Sequence, residues 1–299
     1  MPRPPGPSHD IRLRVTAPVT WAPALRALAA HSVPGLAETD LATGRHTHTL
    51  ATPRGPAGVT VTLVDDAPDV PCSVTLPEGG DLGAVLARVR RWLDLDHDPG
   101  PVDAHLAADP ILAPLVVARP GLRVVGSTDG WETAVTTVLG QQVSVAAART
   151  FAGRLVAAVA GPDPGTDGAG GLVSFPSPAA VAAVDPAVLG PAVGLTSARA
   201  RTVHALATAV ADGLALGPDA DPPDVRARLL ALPGIGPWTV EYLALRALGD
   251  RDACPSSDLV LRRALGGRTP RAVEDASQRW RPWRAYAVTQ LWTQAAYAG

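Results

Sequence analysis

Near residue 101 the hydrophobic pattern changes from short alternating runs to a helical period, and it does not change back. A strand needs period two and a helix period 3.6, so the switch restricts the chain to an α+β segment followed by a helical one. Before it, IRLRVT at 11–16, HTHTLAT at 46–52, GVTVTLVD at 58–65 and CSVTLP at 72–77 read as strands between Gly, Pro and Asp punctuation. One helix is expected from Trp21 to about Ala30. A second, amphipathic helix follows over DLGAVLARVRRWLDL, with Asp81 as its N-cap. The expected arrangement is a meander of strands with helices on one face. His46-Thr47-His48 reads as an exposed strand, because no His or acid cluster shows divalent-metal spacing.

After the switch, helices are expected around 102–108, 129–139, 143–160, 177–190, 195–213, 223–232, 237–248, 257–264, 270–279 and 282–297. The expected organisation is a disordered tail at 1–9, an α+β domain at 10–100 and a helical region of two lobes at 101–299. Gly, Pro and Asp dominate 161–171, which reads as a mobile loop. No run of about 18 apolar residues is present, so no membrane-spanning helix is expected. The opening MPRPPGPSHD lacks the apolar run of a secretory signal. Cys72 and Cys254 are too few for a disulfide scaffold, an iron–sulfur cluster or a Cys₄ zinc site. A reducing, cytoplasmic setting is the expectation.

The net charge of −2 hides an asymmetry. Residues 225–299 carry 11 Arg against 6 acids, and 7 of the chain's 12 aromatics lie there. Such a segment suits nucleic acid, by phosphate attraction and stacking, and equally suits an arginine face over an ordinary core. All 26 basic residues are arginine, so no lysine Schiff base can form.

Leu232-Pro233-Gly234-Ile235-Gly236 separates two helical patterns with a turn that admits only an antiparallel helix pair. Both glycines are expected to permit left-handed backbone, and Pro237 suits the first helical position. The amides of Gly234, Gly236 and Thr239 would then face outward at a helix N-terminus, an anion site that accepts a DNA phosphate. A plain helical hairpin is the alternative. Asp258 follows Ser256 and Ser257, either of which can cap the next helix, so its carboxylate is expected in the first turn. A carboxylate there can stabilise an oxocarbenium-like sugar and orient water, or merely complement the helix start. Trp238 and Tyr242, four apart, share a helix face, for a flipped base or for core packing.

LPGIGPWTVEYLALRAL with Asp258 beyond it, GLRVVGSTDGWETAVTTVLGQQVSVAAART at 121–150 and RWRPWRAYAVTQLW at 279–292 resemble the helix-hairpin-helix DNA glycosylase superfamily. The match is to its alkylpurine branch, the DNA-3-methyladenine glycosylases II of AlkA type, over roughly residues 10–297. The resemblance implies a TATA-binding-protein-like α+β N-terminal domain before an all-α glycosylase region. It implies that Asp258 is catalytic and that Trp238, Tyr242 and Trp292 hold the flipped base, with Leu259 and Leu28 where other members carry pocket aromatics. It makes Gln142 the side chain pushed into the gap left by the base. It also implies that the carbonyls of Leu230, Leu232 and Gly234 hold a monovalent cation at the hairpin, with no other cofactor.

The implied activity is monofunctional excision of cationic purines such as 3-methyladenine and 7-methylguanine from double-stranded DNA. A monomer at the bacterial nucleoid, without membrane contact, is the implied setting. A glycosylase retuned to neutral lesions or alkylated pyrimidines, and a non-catalytic damage-binding protein, are the alternatives.

Overall fold

The structure is a computed structural model that describes residues 7–160 and 172–297. The expected loop at 161–171 and most of the expected tail lie outside the described residues. The N-terminal part is one five-stranded antiparallel sheet in the order β1-β5-β4-β3-β2. Its strands are β1 (Ser8–Arg14), β2 (Ala37–Asp40), β3 (Arg45–Thr52), β4 (Gly55–Thr62) and β5 (Asp69–Thr75). Strands β2 to β5 form the expected meander, and β1 adds beside β5. Strand β1 starts at Ser8 and so takes Ser8 and His9 from the segment read as a tail. Strand β2 went unread because AETD has no apolar alternation; its pairing with β3 holds it.

One sheet face is buried. Val70, Cys72 and Val74 of β5 point into a core with Ala24 and Leu25 of α1 (Ala22–His31) and Val85, Val89 and Trp92 of α2 (Leu82–Trp92). Asp81 caps α2 as expected, accepting from the Ala84 amide at 3.1 Å. His46 and His48 correct the sequence reading: both lie on the buried face of β3 with Leu50, 4% and 6% exposed.

The helical region runs from α3 (Pro99–Ala107) and α4 (Ala113–Ala118) through α5 (Gly130–Leu139) and α6 (Val145–Ala160). The span 177–190, expected as one helix, is two, α7 (Pro178–Ala182) and α8 (Pro186–Val193). Asp185 precedes a proline, which disfavours helical backbone, and its carboxylate restarts the helix by accepting from the Ala187 amide at 2.7 Å. Then come α9 (Ser197–Ala211), α10 (Pro222–Leu230), α11 (Pro237–Arg246), α12 (Leu259–Ala264), α13 (Pro270–Ser277) and α14 (Arg284–Ala296). Their core includes Trp131, Leu155, Leu206, Leu243 and Leu291, and it takes in Val33 and Leu36 from the N-terminal part.

Buried polar groups join the two parts. The Tyr286 hydroxyl of α14 donates to Asp94 just beyond α2 at 2.7 Å, and Arg123 donates to the carbonyls of Asp94 and His97. Burial raises the Asp94 carboxyl above its usual range, against the opposing Tyr286 bond. Among the described residues no helix is long and apolar enough to cross a membrane.

Candidate functional site

The turn between α10 and α11 uses its two glycines differently. Gly234 has φ +79°, the left-handed region, and a Cβ there would lie 2.2 Å from Thr202 Oγ1 of α9. Gly236 is extended, at φ −106° and ψ 176°, so the expectation of left-handed backbone at both glycines holds for Gly234 alone. A Cβ on Gly236 would meet nothing within 4 Å. As the N-cap of α11, Gly236 supplies no side-chain acceptor, and Pro237 opens the helix. No side chain caps the first-turn amides of α11, and the surface beside Gly236 is open, as an anion site requires.

Thr239 is 2% exposed, and its hydroxyl faces inward to the Gln141 side chain at 3.0 Å. Gln141 also donates to the Gly234 carbonyl at 3.2 Å, stitching the α5–α6 turn to the hairpin. Sequence reading passed over Gln141 and chose its neighbour in GQQVS. That neighbour, Gln142, is exposed on left-handed backbone at φ +57°. Of the three carbonyls proposed for a cation, Leu232 accepts from Ile235 at 3.3 Å and Gly234 from Gln141. Leu230 is half exposed, and a carbonyl oxygen keeps a second lone pair, so the donor chemistry fits a monovalent ion.

Asp258 is itself the N-cap of α12, one residue later than Ser257, the nearer of the two expected caps. Neither serine caps; Asp258 Oδ1 accepts the Leu261 amide at 2.8 Å. Trp292 Nε1 donates to the same oxygen at 3.0 Å, and Trp238 Nε1 donates to Oδ2 at 2.9 Å. Three N–H donors from three helices thus fix an acceptor-only carboxylate. Leu259, at the first helical position, is 59% exposed and does not line the cavity that Asp258 faces; the next residue, Val260, does. The cap geometry turns Leu259 outward. Leu28 of α1 lines the cavity as expected.

That cavity, about 590 Å³, lies between α1, α5, α11, α14 and β3, with Asp258 and the three aromatics on its wall. Trp238 and Tyr242 stack on each other at 5.2 Å and 21°, and Tyr242 meets Trp292 at 5.8 Å. A base between two parallel rings needs about 7 Å, twice the contact distance of roughly 3.5 Å. The three aromatics therefore form one wall rather than a sandwich. Arg246, one turn past Tyr242, holds its guanidinium 5.7 Å from the Tyr242 centroid and 5.5 Å from that of Trp292. Arg246 and Arg149 line the cavity opposite in charge to Asp258 and Glu132. No motif in the sequence pointed to either arginine. His46 also lines it, and burial, with the neighbouring His48, pushes its ring down to about 3.

The basic C-terminal segment proves mixed. Arg226, Arg251, Arg279, Arg281 and Arg284 all pair with carboxylates. Trp280 is buried with its Nε1 on Asp109, and Tyr286 is a core residue. Trp238, Tyr242, Trp292 and Tyr297 face the cavity. Among the described residues no group of His, Cys, Asp or Glu has the makings of a metal site.

A helical hairpin with an uncapped, glycine-flanked N-terminus beside an aspartate-bearing cavity is the architecture of base excision repair proteins. Two family models match, the AlkA N-terminal domain over residues 10–129 and the HhH-GPD superfamily base excision DNA repair protein over 135–278. The chain belongs to this helix-hairpin-helix family, in its AlkA-type branch.

It is 36% identical over 210 residues to DNA-3-methyladenine glycosylase 2 of Escherichia coli K12, covering 69% of this chain and 70% of that one. It is 45% identical over 291 residues to the probable bifunctional transcriptional activator/DNA repair enzyme AlkA of Mycobacterium tuberculosis H37Rv. That match covers 95% of this chain but 56% of the relative, so the chain spans little more than half its length. The 3-methyladenine DNA-glycosylase of Archaeoglobus fulgidus shares the fold, with a TM-score of 0.80 at 19% identity over 97% of this chain and 99% of that one.

Proposed function

We propose that the chain is a monofunctional DNA glycosylase that flips alkylated purines such as 3-methyladenine and 7-methylguanine out of double-stranded DNA and hydrolyses their glycosidic bond. The observation that carries this reading is Asp258, held by three N–H donors in the wall of an aromatic cavity beside the hairpin. As the base departs, positive charge develops on the sugar, and the fixed carboxylate stabilises it while orienting the attacking water. A purine alkylated on the ring carries a positive charge of its own, so it leaves without a strong general acid. The flipped base stacks on the Trp238–Tyr242–Trp292 wall, while the amides at Gly234, Gly236 and Thr239 take a phosphate. In the same reading the Leu230, Leu232 and Gly234 carbonyls hold a monovalent cation, which neutralises phosphate charge when bound. The enzyme acts as a monomer.

Arg246 and Arg149 on the cavity wall favour a second reading, in which the pocket is retuned to neutral lesions, since they oppose a cationic base. The Asp258 carboxylate on the same wall opposes them. The damage-binding alternative leaves the buttressing of Asp258 without a purpose.

With no lysine in the chain, the purified protein should leave intact abasic strands that break only on heating or added base. Strand scission by the protein alone overturns the monofunctional reading. Gln142 supplies a further prediction, because its left-handed backbone suits glycine better. Gln142→Gly should raise the stability of the fold by up to about 1 kcal/mol while slowing excision from fully paired duplex more than from mismatched duplex. Equal slowing on both substrates would show that Gln142 fills no gap.

A further inference from the structure

The cavity holds a second carboxylate for which the reaction has no use. Glu132 lies in the first turn of α5, but Asp129 already caps that helix, accepting the Trp131 and Glu132 amides at 2.8 and 3.2 Å. The Glu132 side chain is 15% exposed and lines the cavity. Among the described residues its carboxylate makes no hydrogen bond, and the nearest ionisable side chain paired with it is His48, with Nε2 3.4 Å away. His48 is 8% exposed in its side chain, lines the same cavity from β3, and its Nε2 likewise has no hydrogen-bond partner. A largely buried carboxylate and a buried ring nitrogen, 3.4 Å apart and each without a hydrogen bond, face one cavity. Leaving such groups unpaired is costly, so a ligand that satisfies them gains more than one that does not.

Resting on the glycosylase reading, we propose that Glu132 and His48 form a subsite that reads the Watson–Crick edge of a guanine-type base. That edge presents two parallel donors, N1–H and N2–H, which match the two oxygens of a carboxylate, and beside them the O6 acceptor, which suits a ring N–H of His48. An adenine-type edge offers one amino donor beside an acceptor nitrogen, which sets two acceptors against each other. Glu132 thus favours 7-methylguanine, while bases of the adenine type are held by the aromatic wall alone.

The test is the amount of 7-methylguanine and 3-methyladenine released from methylated duplex DNA, identified by mass, by the unmodified protein and by Glu132→Gln. The amide keeps the volume but replaces one acceptor with a donor. The expected result is an about tenfold loss of 7-methylguanine release with 3-methyladenine release within about twofold of the unmodified protein, so the ratio moves. Retained 3-methyladenine release also reports an intact fold.

A parallel loss of both bases, or no change in the ratio, overturns the subsite while leaving the glycosylase reading in place. Release of neither base by the unmodified protein removes the glycosylase reading itself, and the subsite with it. A second measurement needs no variant: free 7-methylguanine should quench tryptophan fluorescence of the unmodified protein at lower concentration than free 3-methyladenine. The reverse order contradicts the proposal.

Discussion

Asp258→Asn should lower base release by about a thousandfold or more while DNA binding stays near that of the unmodified protein. The substitution is informative because asparagine is as good an N-cap as aspartate, so its oxygen can keep the Leu261 amide and the Trp292 indole. Its amide nitrogen would face Trp238 Nε1, which loses its acceptor; that costs about 1 kcal/mol of stability. The fold therefore survives, and the hairpin amides, which make no bond to Asp258, still take the phosphate. What disappears is the negative charge beside the sugar. Single-turnover release together with anisotropy on an abasic-analogue duplex separates the two effects. Near-normal turnover by the variant refutes the catalytic assignment.

Gly234→Ala should destabilise the protein by roughly 2–4 kcal/mol and remove DNA binding with it. The new methyl would sit 2.2 Å from the Thr202 hydroxyl, on backbone at φ +79° that side chains rarely adopt. Relief requires the turn to move away from α9, and the Gln141 bond to the Gly234 carbonyl moves with it. Gly236→Ala is the matched control. Its backbone is extended and its Cβ enters open space, so stability should change by less than about 0.5 kcal/mol. A methyl there still stands between a phosphate and the uncapped amides, so DNA affinity should fall. Urea unfolding and duplex binding of both variants check this, and equal destabilisation by the two would show that the glycines serve one role.

The division of the chain was legible because period is a local property: the meander, the capped α2 and the run of helices all follow from it. Where the reading failed, the deciding interaction was distant in sequence. Strand β2 exists because β3 offers a partner, not because AETD favours a strand. His46 and His48 alternate with threonines as an exposed strand would, and only the register of β3 turns them inward.

Asp258 was identified by resemblance and its helix-start position by the neighbouring serines, yet the cap itself fell one residue later. Its indole donors come from 20 and 34 residues away, and no local pattern announces them. Trp238 and Tyr242 were paired correctly by their spacing, but a four-residue interval cannot say whether two rings leave room for a base or stack on each other. Arg246 and Glu132 went unread because a charged residue on a helix looks the same in sequence whether it faces solvent or a cavity.

The most direct test is to incubate methylated duplex DNA with the unmodified protein and with Asp258→Asn and to identify the released bases by mass. Release of 3-methyladenine and 7-methylguanine by the unmodified protein alone is the result expected from a carboxylate held at the aromatic wall. Release by neither protein while both bind the duplex, or equal release by both, would contradict it.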